Sequence, residues 1–133
     1  MASTDPISDL FAALANASRA YLDSARVPDS RYKQSVLKAL QAEGFIRGWR
    51  LTGEKGRSRA LDIQLAYGPA RERLPNGVTR VSTPGRRVYV GLAELKAYLR
   101  RLETALLSTP HGVMTGQAAM ARKTGGELLC LLW

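Results

Sequence analysis

Small hydroxyl residues and glycines near the C-terminus are the residues of this chain best suited to bind a ligand. Ser108, Thr109 and Gly112 lie in one short segment, and Gly125 and Gly126 lie in a second. A glycine lets the backbone approach a ligand closely, and a hydroxyl group both donates and accepts hydrogen bonds. Double-stranded RNA displays 2′-hydroxyl groups and backbone in a shallow minor groove, which suits such groups. We therefore predict that the first segment is a docking loop for RNA and that the second is another close-approaching turn.

The charge of the chain favours nucleic acid as the partner. The formal net charge is +9, and 15 arginines outnumber 5 lysines. Arginine donates several directed hydrogen bonds to phosphate, whereas lysine acts as a point charge. Residues 71–133 carry ten basic and four acidic side chains, so the stronger field is expected there. The basic residues predicted to neutralise phosphate, with one aromatic neighbour that can offer a ring or a hydroxyl group, are Arg86, Arg87, Arg122, Lys123 and Tyr89.

Residues that could support catalysis are scarce. The one histidine, His111, could act as a general base, but the sequence indicates no acid or cysteine partner beside it, so we predict a polar residue that faces RNA. Glu127 repels phosphate, and we expect it to accept a hydrogen bond from a base, a 2′-hydroxyl or a protein N–H group. Cys130, the one cysteine, excludes an internal disulfide and is predicted to be a small buried hydrophobic residue. We expect no metal, no cofactor and no enzymatic activity.

The N-terminal half is predicted to place two helices on a small sheet. Asp5 and Pro6 indicate the start of the first helix, because Asp caps a helix and Pro loses no hydrogen bond at its first position. Asp29 or Ser30 caps the second helix, which Gly44 ends. An edge strand is expected at Val27-Pro28, and a hairpin is predicted from Phe45–Leu51, a turn at Thr52–Ser58, and Leu61–Tyr67.

The C-terminal half is predicted to be richer in strands. The expected elements are strands at Val78–Val81, Arg86–Val90 and Ala105–Leu107, a final strand after Gly126, helices at Leu92–Leu102 and Gln117–Ala121, and a turn at Pro84-Gly85. Residues 69–77, rich in breakers and charge, are predicted to link residues 1–68 to residues 78–133. The predicted fold class is α+β, with two small packed subdomains. The first places helices on a small sheet, and the second is strand-rich and binds RNA.

Four segments, taken in order, resemble the bacterial-type S8 family of small-subunit ribosomal proteins, and the match extends over nearly the whole chain. The most specific is the C-terminal signature, in which Ser-Thr-x-x-Gly-Val-Met-Thr precedes Gly-Gly-Glu, two apolar residues and Cys. Here the signature runs from Ser108 to Thr115 and from Gly125 to Cys130. The other three segments are Asp5–Asp9, Glu43–Ile46 and Arg80–Tyr89.

The resemblance implies a structural protein of the small ribosomal subunit. Such a protein binds the central domain of small-subunit ribosomal RNA directly, supports its assembly and lies among neighbouring small-subunit proteins. Bacterial members can also repress translation by binding their own messenger RNA. The motif positions that the resemblance assigns to RNA contact are Tyr89, Ser108, Thr109, Gly112, Gly125, Gly126 and Glu127.

This chain departs from the family pattern at several positions. Two arginines that the family usually carries in the first helix are Ala13 and Ala15 here, which removes phosphate contacts. Pro110 replaces a hydroxyl residue of the loop, and Gly116 stands where an Asp is usual. Fewer RNA contacts fit a ribosome with reduced RNA. The mitochondrial matrix is therefore favoured over the bacterial cytoplasm as the location of this ribosome.

Two other functions stay open on the sequence alone. A free-standing translational regulator would use the same surface to bind a messenger hairpin and would not co-sediment with ribosomes. An RNA-processing enzyme would require His111 within hydrogen-bond reach of a carboxylate in a cleft. No apolar run approaches the ~20 residues of a membrane span, so no membrane association is expected.

Overall fold

The computed structural model describes residues 5–54 and 59–133, and its α+β class is the one predicted from the sequence. The chain divides into two compact units, an N-terminal unit, Met1–Leu74, and a C-terminal unit, Pro75–Trp133. The elements of the N-terminal unit are α1 (Pro6–Arg19), β1 (Ser24–Pro28), α2 (Arg31–Ala42), β2 (Ile46–Thr52), β3 (Ala60–Tyr67) and β4 (Arg73–Leu74). The elements of the C-terminal unit are β5 (Val78–Arg80), β6 (Tyr89–Val90), α3 (Leu92–Tyr98), β7 (Thr104–Thr109), β8 (Gly112–Thr115), α4 (Gly116–Ala121) and β9 (Gly126–Leu132).

Both helices of the N-terminal unit begin at caps predicted from the sequence. The Asp5 carboxylate accepts hydrogen bonds from the Ser8 backbone N–H at 3.2 Å and from the Ser8 hydroxyl at 2.6 Å. At α2 the cap is Ser30, whose hydroxyl oxygen accepts from the Lys33 N–H at 3.1 Å. Gly44 follows α2 with a φ of +82°, a conformation that glycine adopts without strain. The predicted helix end is therefore confirmed.

The sheet of the N-terminal unit is antiparallel, with β3 between β1 and β2. β3 buries Leu61, Ile63 and Leu65, and its alternation places Asp62 and Gln64 on the opposite face. Helix α1 packs against β1, and α2 packs against β2. The predicted edge strand and hairpin are confirmed, although residues 55–58 of the predicted turn lie outside the described residues.

The segment predicted as a linker, residues 69–77, contains part of this sheet. Arg73 and Leu74 form β4, which pairs with the end of β3. The division between the two units falls after Leu74, inside the same segment. The first part of the segment therefore belongs to the N-terminal unit.

β9 is the central strand of the C-terminal unit. It pairs with β5 and β6 along one edge and with β7 along the other, and β7 pairs in turn with β8. One face of this sheet packs against α3 and α4. The buried residues of that face and of the two helices, called here the core cluster, are Val90, Leu95, Ala105, Leu107, Ala119, Leu128 and Leu131.

Two predicted boundaries in this unit are wrong. α3 ends at Tyr98, and Leu102, predicted to be its last apolar residue, is fully exposed, because the chain turns after α3 to enter β7. The strand predicted at Arg86–Val90 is reduced to Tyr89–Val90, since the residues before it form a turn. The end predicted for the last helix, Ala121, is confirmed, and Lys123 follows α4 at a φ of +54°.

Candidate nucleic-acid interface

The segment predicted as a docking loop is a β-hairpin. β7 extends to Thr109, β8 begins at Gly112, and Pro110 and His111 make the turn between them. Gly112 has a φ of +108°, which side chains other than glycine rarely adopt. The glycine is therefore required by the hairpin itself. Strand alternation, which a loop would not impose, decides where each side chain of the segment lies.

Ser108 and Thr109, predicted to offer their hydroxyl groups to RNA together, lie on opposite faces of the sheet. Thr109 is buried, and its hydroxyl donates to the Gly112 carbonyl at 2.8 Å and accepts from the His111 N–H at 3.1 Å. Ser108 is half-buried, and its hydroxyl makes no hydrogen bond within residues 5–54 and 59–133. The Thr109 hydroxyl stabilises the turn, whereas the Ser108 hydroxyl is available to a ligand.

Four residues directly opposite one another across four strands form a row on the face of the sheet away from the core cluster. Tyr89 pairs with Glu127, Glu127 with Ser108, and Ser108 with Val113. Directly paired residues of antiparallel strands present their side chains on the same face. We call these four residues the outer row. Their sequence neighbours Val90, Leu107 and Leu128 belong to the core cluster, as alternation requires.

Glu127 is held by the protein. Its carboxylate accepts a hydrogen bond from the Ser82 hydroxyl and forms an ion pair with Arg87 at 3.0 Å. The Ser82 hydroxyl also accepts from the Val88 N–H at 3.1 Å, and Ser82 is fully buried. Glu127 was predicted to accept a hydrogen bond from a base, a 2′-hydroxyl or a protein N–H group, and the Arg87 guanidinium is such a protein donor. The bonds hold the turn Thr83–Arg86 beside the outer row.

Ser82 is a residue that sequence reasoning missed. It lies in the motif Arg80–Tyr89, but a serine beside a Pro-Gly turn is equally typical of an exposed turn residue. The role of Ser82 can be recognised only once β5 and β6 are known to pair with the same edge of β9.

Gly125 and Gly126 were predicted to let the backbone approach RNA, and the structure shows a different close approach. A Cβ at Gly125 would collide with the Val90 carbonyl oxygen, and a Cβ at Gly126 would collide with the Ser108 carbonyl oxygen. Neither glycine has a positive φ. Both are therefore required where neighbouring strands of the protein lie against each other.

The remaining predicted residues are exposed and surround one end of the sheet. β7 ends where β9 begins, so the turn that carries His111 and the connection that carries Arg122 and Lys123 lie at the same end. Arg86 is exposed in the turn before β6, and Tyr89 is 67% exposed. These cations and the outer row form one surface, which we call the C-terminal surface.

The described residues hold no constellation typical of catalysis. The His111 side chain makes no hydrogen bond or ion pair with any described residue, which removes the condition set for an RNA-processing enzyme. Cys130 is fully buried, and burial raises the pKa of its thiol to about 12, so it stays protonated. Among residues 5–54 and 59–133 no group of three or more His, Cys, Asp or Glu side chains could hold a metal ion. None of the helices described is both long and apolar enough to cross a membrane.

Comparison with known proteins gives consistent matches along the chain. A family model described as "Ribosomal protein S8" matches residues 5–133. The chain is 44% identical over 137 residues to the "Small ribosomal subunit protein uS8" of Thermus aquaticus, covering 98% of this chain and 99% of that protein. It is 43% identical over 134 residues to the protein of the same name from Streptomyces griseus, covering all of both. The protein of that name from Corynebacterium jeikeium is 41% identical over 133 residues, again across the whole of both.

Proposed function

Because the chain belongs to the ribosomal protein S8 family, we propose that its C-terminal surface binds small-subunit ribosomal RNA. The protein is a structural, non-enzymatic component of the small ribosomal subunit. Its neighbours there include other small-subunit proteins. The division of the sheet into two faces supports our proposal of which residues reach the RNA.

The observation that carries the proposal is the hydroxyl of Ser108, which bonds to no described residue and lies in the same outer row as the exposed ring of Tyr89, with Glu127 between them. A small hydroxyl on a flat strand can reach a 2′-hydroxyl or a base edge in the shallow minor groove of RNA, where a long side chain would hold the two surfaces apart. The tyrosine adds a hydroxyl and a ring face to the same side. Arg86, Arg122 and Lys123 supply phosphate contacts around this centre.

The other predicted contact residues support this surface from within the protein. Thr109 and Gly112 fix the hairpin turn that presents His111. Gly125 and Gly126 allow the neighbouring strands to lie close enough for the outer row to be continuous. Glu127 and Arg87 hold the basic turn in place, and the Arg87 side chain is half-exposed.

A binding experiment with two RNAs tests the proposal. The full chain is titrated against small-subunit and against large-subunit ribosomal RNA from the source cells, at several salt concentrations. We expect selective binding of the small-subunit RNA that weakens as salt rises, because phosphate contacts release counterions. In a sucrose gradient, the protein should stay with the small subunit after a salt wash. Equal affinity for both RNAs, with the protein found only at the top of the gradient, would refute the proposal.

We also propose that binding of its own messenger RNA, if this chain regulates translation, uses the same C-terminal surface. A messenger fragment should then compete with small-subunit RNA for the protein, and Ser108→Ala should weaken both complexes in parallel.

The cited relatives are bacterial and give no support to the predicted mitochondrial location. We propose the alternative location, a bacterial cytoplasm, for this ribosome.

A further inference from the structure

Glu127 is the one carboxylate among the residues that make up the C-terminal surface. The other two acidic residues of the C-terminal unit lie elsewhere. Glu94 is exposed on α3, which packs against the other face of the sheet, and Glu103 precedes β7, at the end of that strand away from Ser108. A surface proposed to bind a polyanion therefore carries a negative charge beside the residues that meet it.

The Glu127 side chain lies inside the outer row. Glu127 is directly opposite Tyr89 on one side and Ser108 on the other, and adjacent strands of a sheet lie about 5 Å apart. The side chain is only 15% exposed, so the carboxylate is partly removed from water. A partly buried charge is screened by salt less than an exposed one. RNA that contacts the outer row must therefore accommodate this charge.

The two oxygens of the Glu127 carboxylate differ. Oε2 accepts hydrogen bonds from the Ser82 hydroxyl and from the Arg87 guanidinium, the latter at 3.0 Å. Oε1 accepts from none of the described residues and is open to solvent. An O–H or N–H group can approach this free acceptor. A phosphate oxygen, which is an acceptor and carries negative charge, is repelled by it.

The same carboxylate neutralises the cation nearest to it. Arg87 is half-exposed, and its ion pair with Glu127 means that a phosphate must compete with a protein carboxylate for the guanidinium. The cations without such an ion pair, Arg86, Arg122 and Lys123, lie in the turn before β6 and in the connection before β9. Negative charge in the outer row is therefore surrounded by positive charge.

We propose that Glu127 is a specificity-determining residue, which excludes the phosphate backbone from the outer row and so weakens the binding of RNA that does not fit. The proposal rests on the proposed function. Every RNA offers phosphates, and phosphate contacts supply essentially all of non-specific binding. RNA that turns its shallow minor groove to the outer row presents 2′-hydroxyl groups and base edges to Glu127, and its phosphates can reach the surrounding cations. Repulsion of other arrangements then separates the two affinities.

The test compares two variants that each lose one negative charge at constant side-chain size. Glu127→Gln changes the outer row, and Glu94→Gln is the control on α3. The full chains are titrated with small-subunit and with large-subunit ribosomal RNA in a salt series. For Glu127→Gln we expect the affinity for large-subunit RNA to rise about tenfold at 0.1 M salt, and its salt slope to steepen by about one, because the Arg87 guanidinium becomes available to phosphate. The affinity for small-subunit RNA should change by less than about threefold.

A second variant separates charge from loss of structure. Ser82→Ala removes a donor to Glu127 but keeps the carboxylate, so it can loosen the turn without removing the negative charge. We expect no rise in the affinity of Ser82→Ala for large-subunit RNA. Urea unfolding followed by circular dichroism shows that each variant is folded under the binding conditions.

Three results would overturn the proposal. The first is an unchanged affinity of Glu127→Gln for large-subunit RNA, and the second is an equal rise in Glu94→Gln or Ser82→Ala. The third is a loss of affinity for small-subunit RNA alone, which would make Glu127 a contact residue that excludes nothing. If the wild type bound both RNAs equally, the proposed function would fail instead, and this inference with it.

Discussion

The outer row and the core cluster occupy opposite faces of one sheet and use neighbouring residues of the same strands. Ser108 and Tyr89 face outward with polar groups available to a ligand, while Leu107 and Val90, one residue away, are buried. The comparison shows that a run of consecutive motif residues does not have a single role. At this end of the sheet, one residue of each adjacent pair packs into the core cluster and the other lies on the opposite face.

The same division accounts for motif residues whose observed contacts lie within the protein. Thr109 and Gly126 lie in the signature together with Ser108, yet one bonds the hairpin turn and the other makes room for a neighbouring strand. We expect changes at these positions to lower stability first. Changes at Ser108 and Tyr89 of the outer row should lower RNA affinity at constant stability.

The largest effect is expected for Gly126→Ala. The new Cβ would collide with the Ser108 carbonyl oxygen, and a backbone atom within a sheet cannot move away as a flexible side chain can. We expect the free energy of unfolding to fall by about 3 kcal/mol. A urea titration followed by circular dichroism measures it.

Gly85→Ala is the matched control for this change. Gly85 has no atom within 4 Å of the position that its Cβ would take, so the free energy of unfolding should change by less than about 0.5 kcal/mol. Equal midpoints for the two variants would show that close strand packing does not explain Gly126.

The next largest effect is expected for Ser82→Ala. The change removes a buried hydroxyl that donates to Glu127 and accepts from the Val88 N–H, and both partners would lose a bond. We expect a loss of about 2 kcal/mol in the free energy of unfolding. Ser108→Ala is the control, because it removes a serine hydroxyl of the same unit that bonds to no described residue. The prediction fails if both variants unfold at the same urea concentration.

Arg86 and Arg87 differ in what they can still offer to phosphate. Arg86 is exposed, and no described residue pairs with its side chain, whereas Arg87 already pairs with Glu127. Arg86→Ala should lower the salt slope of RNA binding by about one. Arg87→Ala should lower the slope less, and should reduce the free energy of unfolding by at most about 1 kcal/mol, since its ion pair is half-exposed. A larger slope change for Arg87 than for Arg86 would reverse this assignment.

The elements of this fold follow largely from local signals in the sequence. Asp5 and Ser30 start helices through their own side chains, and Gly44 ends one through its conformational freedom. These three signals can be recognised in the sequence without knowledge of any tertiary contact. The burial of Cys130 likewise follows from its apolar neighbours. The end of α3 depends instead on where the chain must turn to enter β7, and no local signal marks it.

The site was less predictable because it depends on pairing between distant strands. The prediction of a loop at residues 108–115 follows from its hydroxyl residues, Pro110 and Gly112, but the pairing of β7 with β8 and β9 assigns each side chain to a face. The roles of Ser82 and Glu127 depend on a contact across 45 residues of sequence.

The most direct test of this account is to measure stability and RNA affinity for Ser108→Ala and Thr109→Ala separately. Ser108→Ala should keep the wild-type free energy of unfolding and bind small-subunit ribosomal RNA roughly fivefold more weakly, as expected for one lost hydrogen bond of about 1 kcal/mol. Thr109→Ala should lose about 1 to 2 kcal/mol of stability, because two hydrogen bonds of the turn are removed. Wild-type affinity for Ser108→Ala, together with weakened binding by a fully stable Thr109→Ala, would contradict the assignment of these two residues to opposite faces.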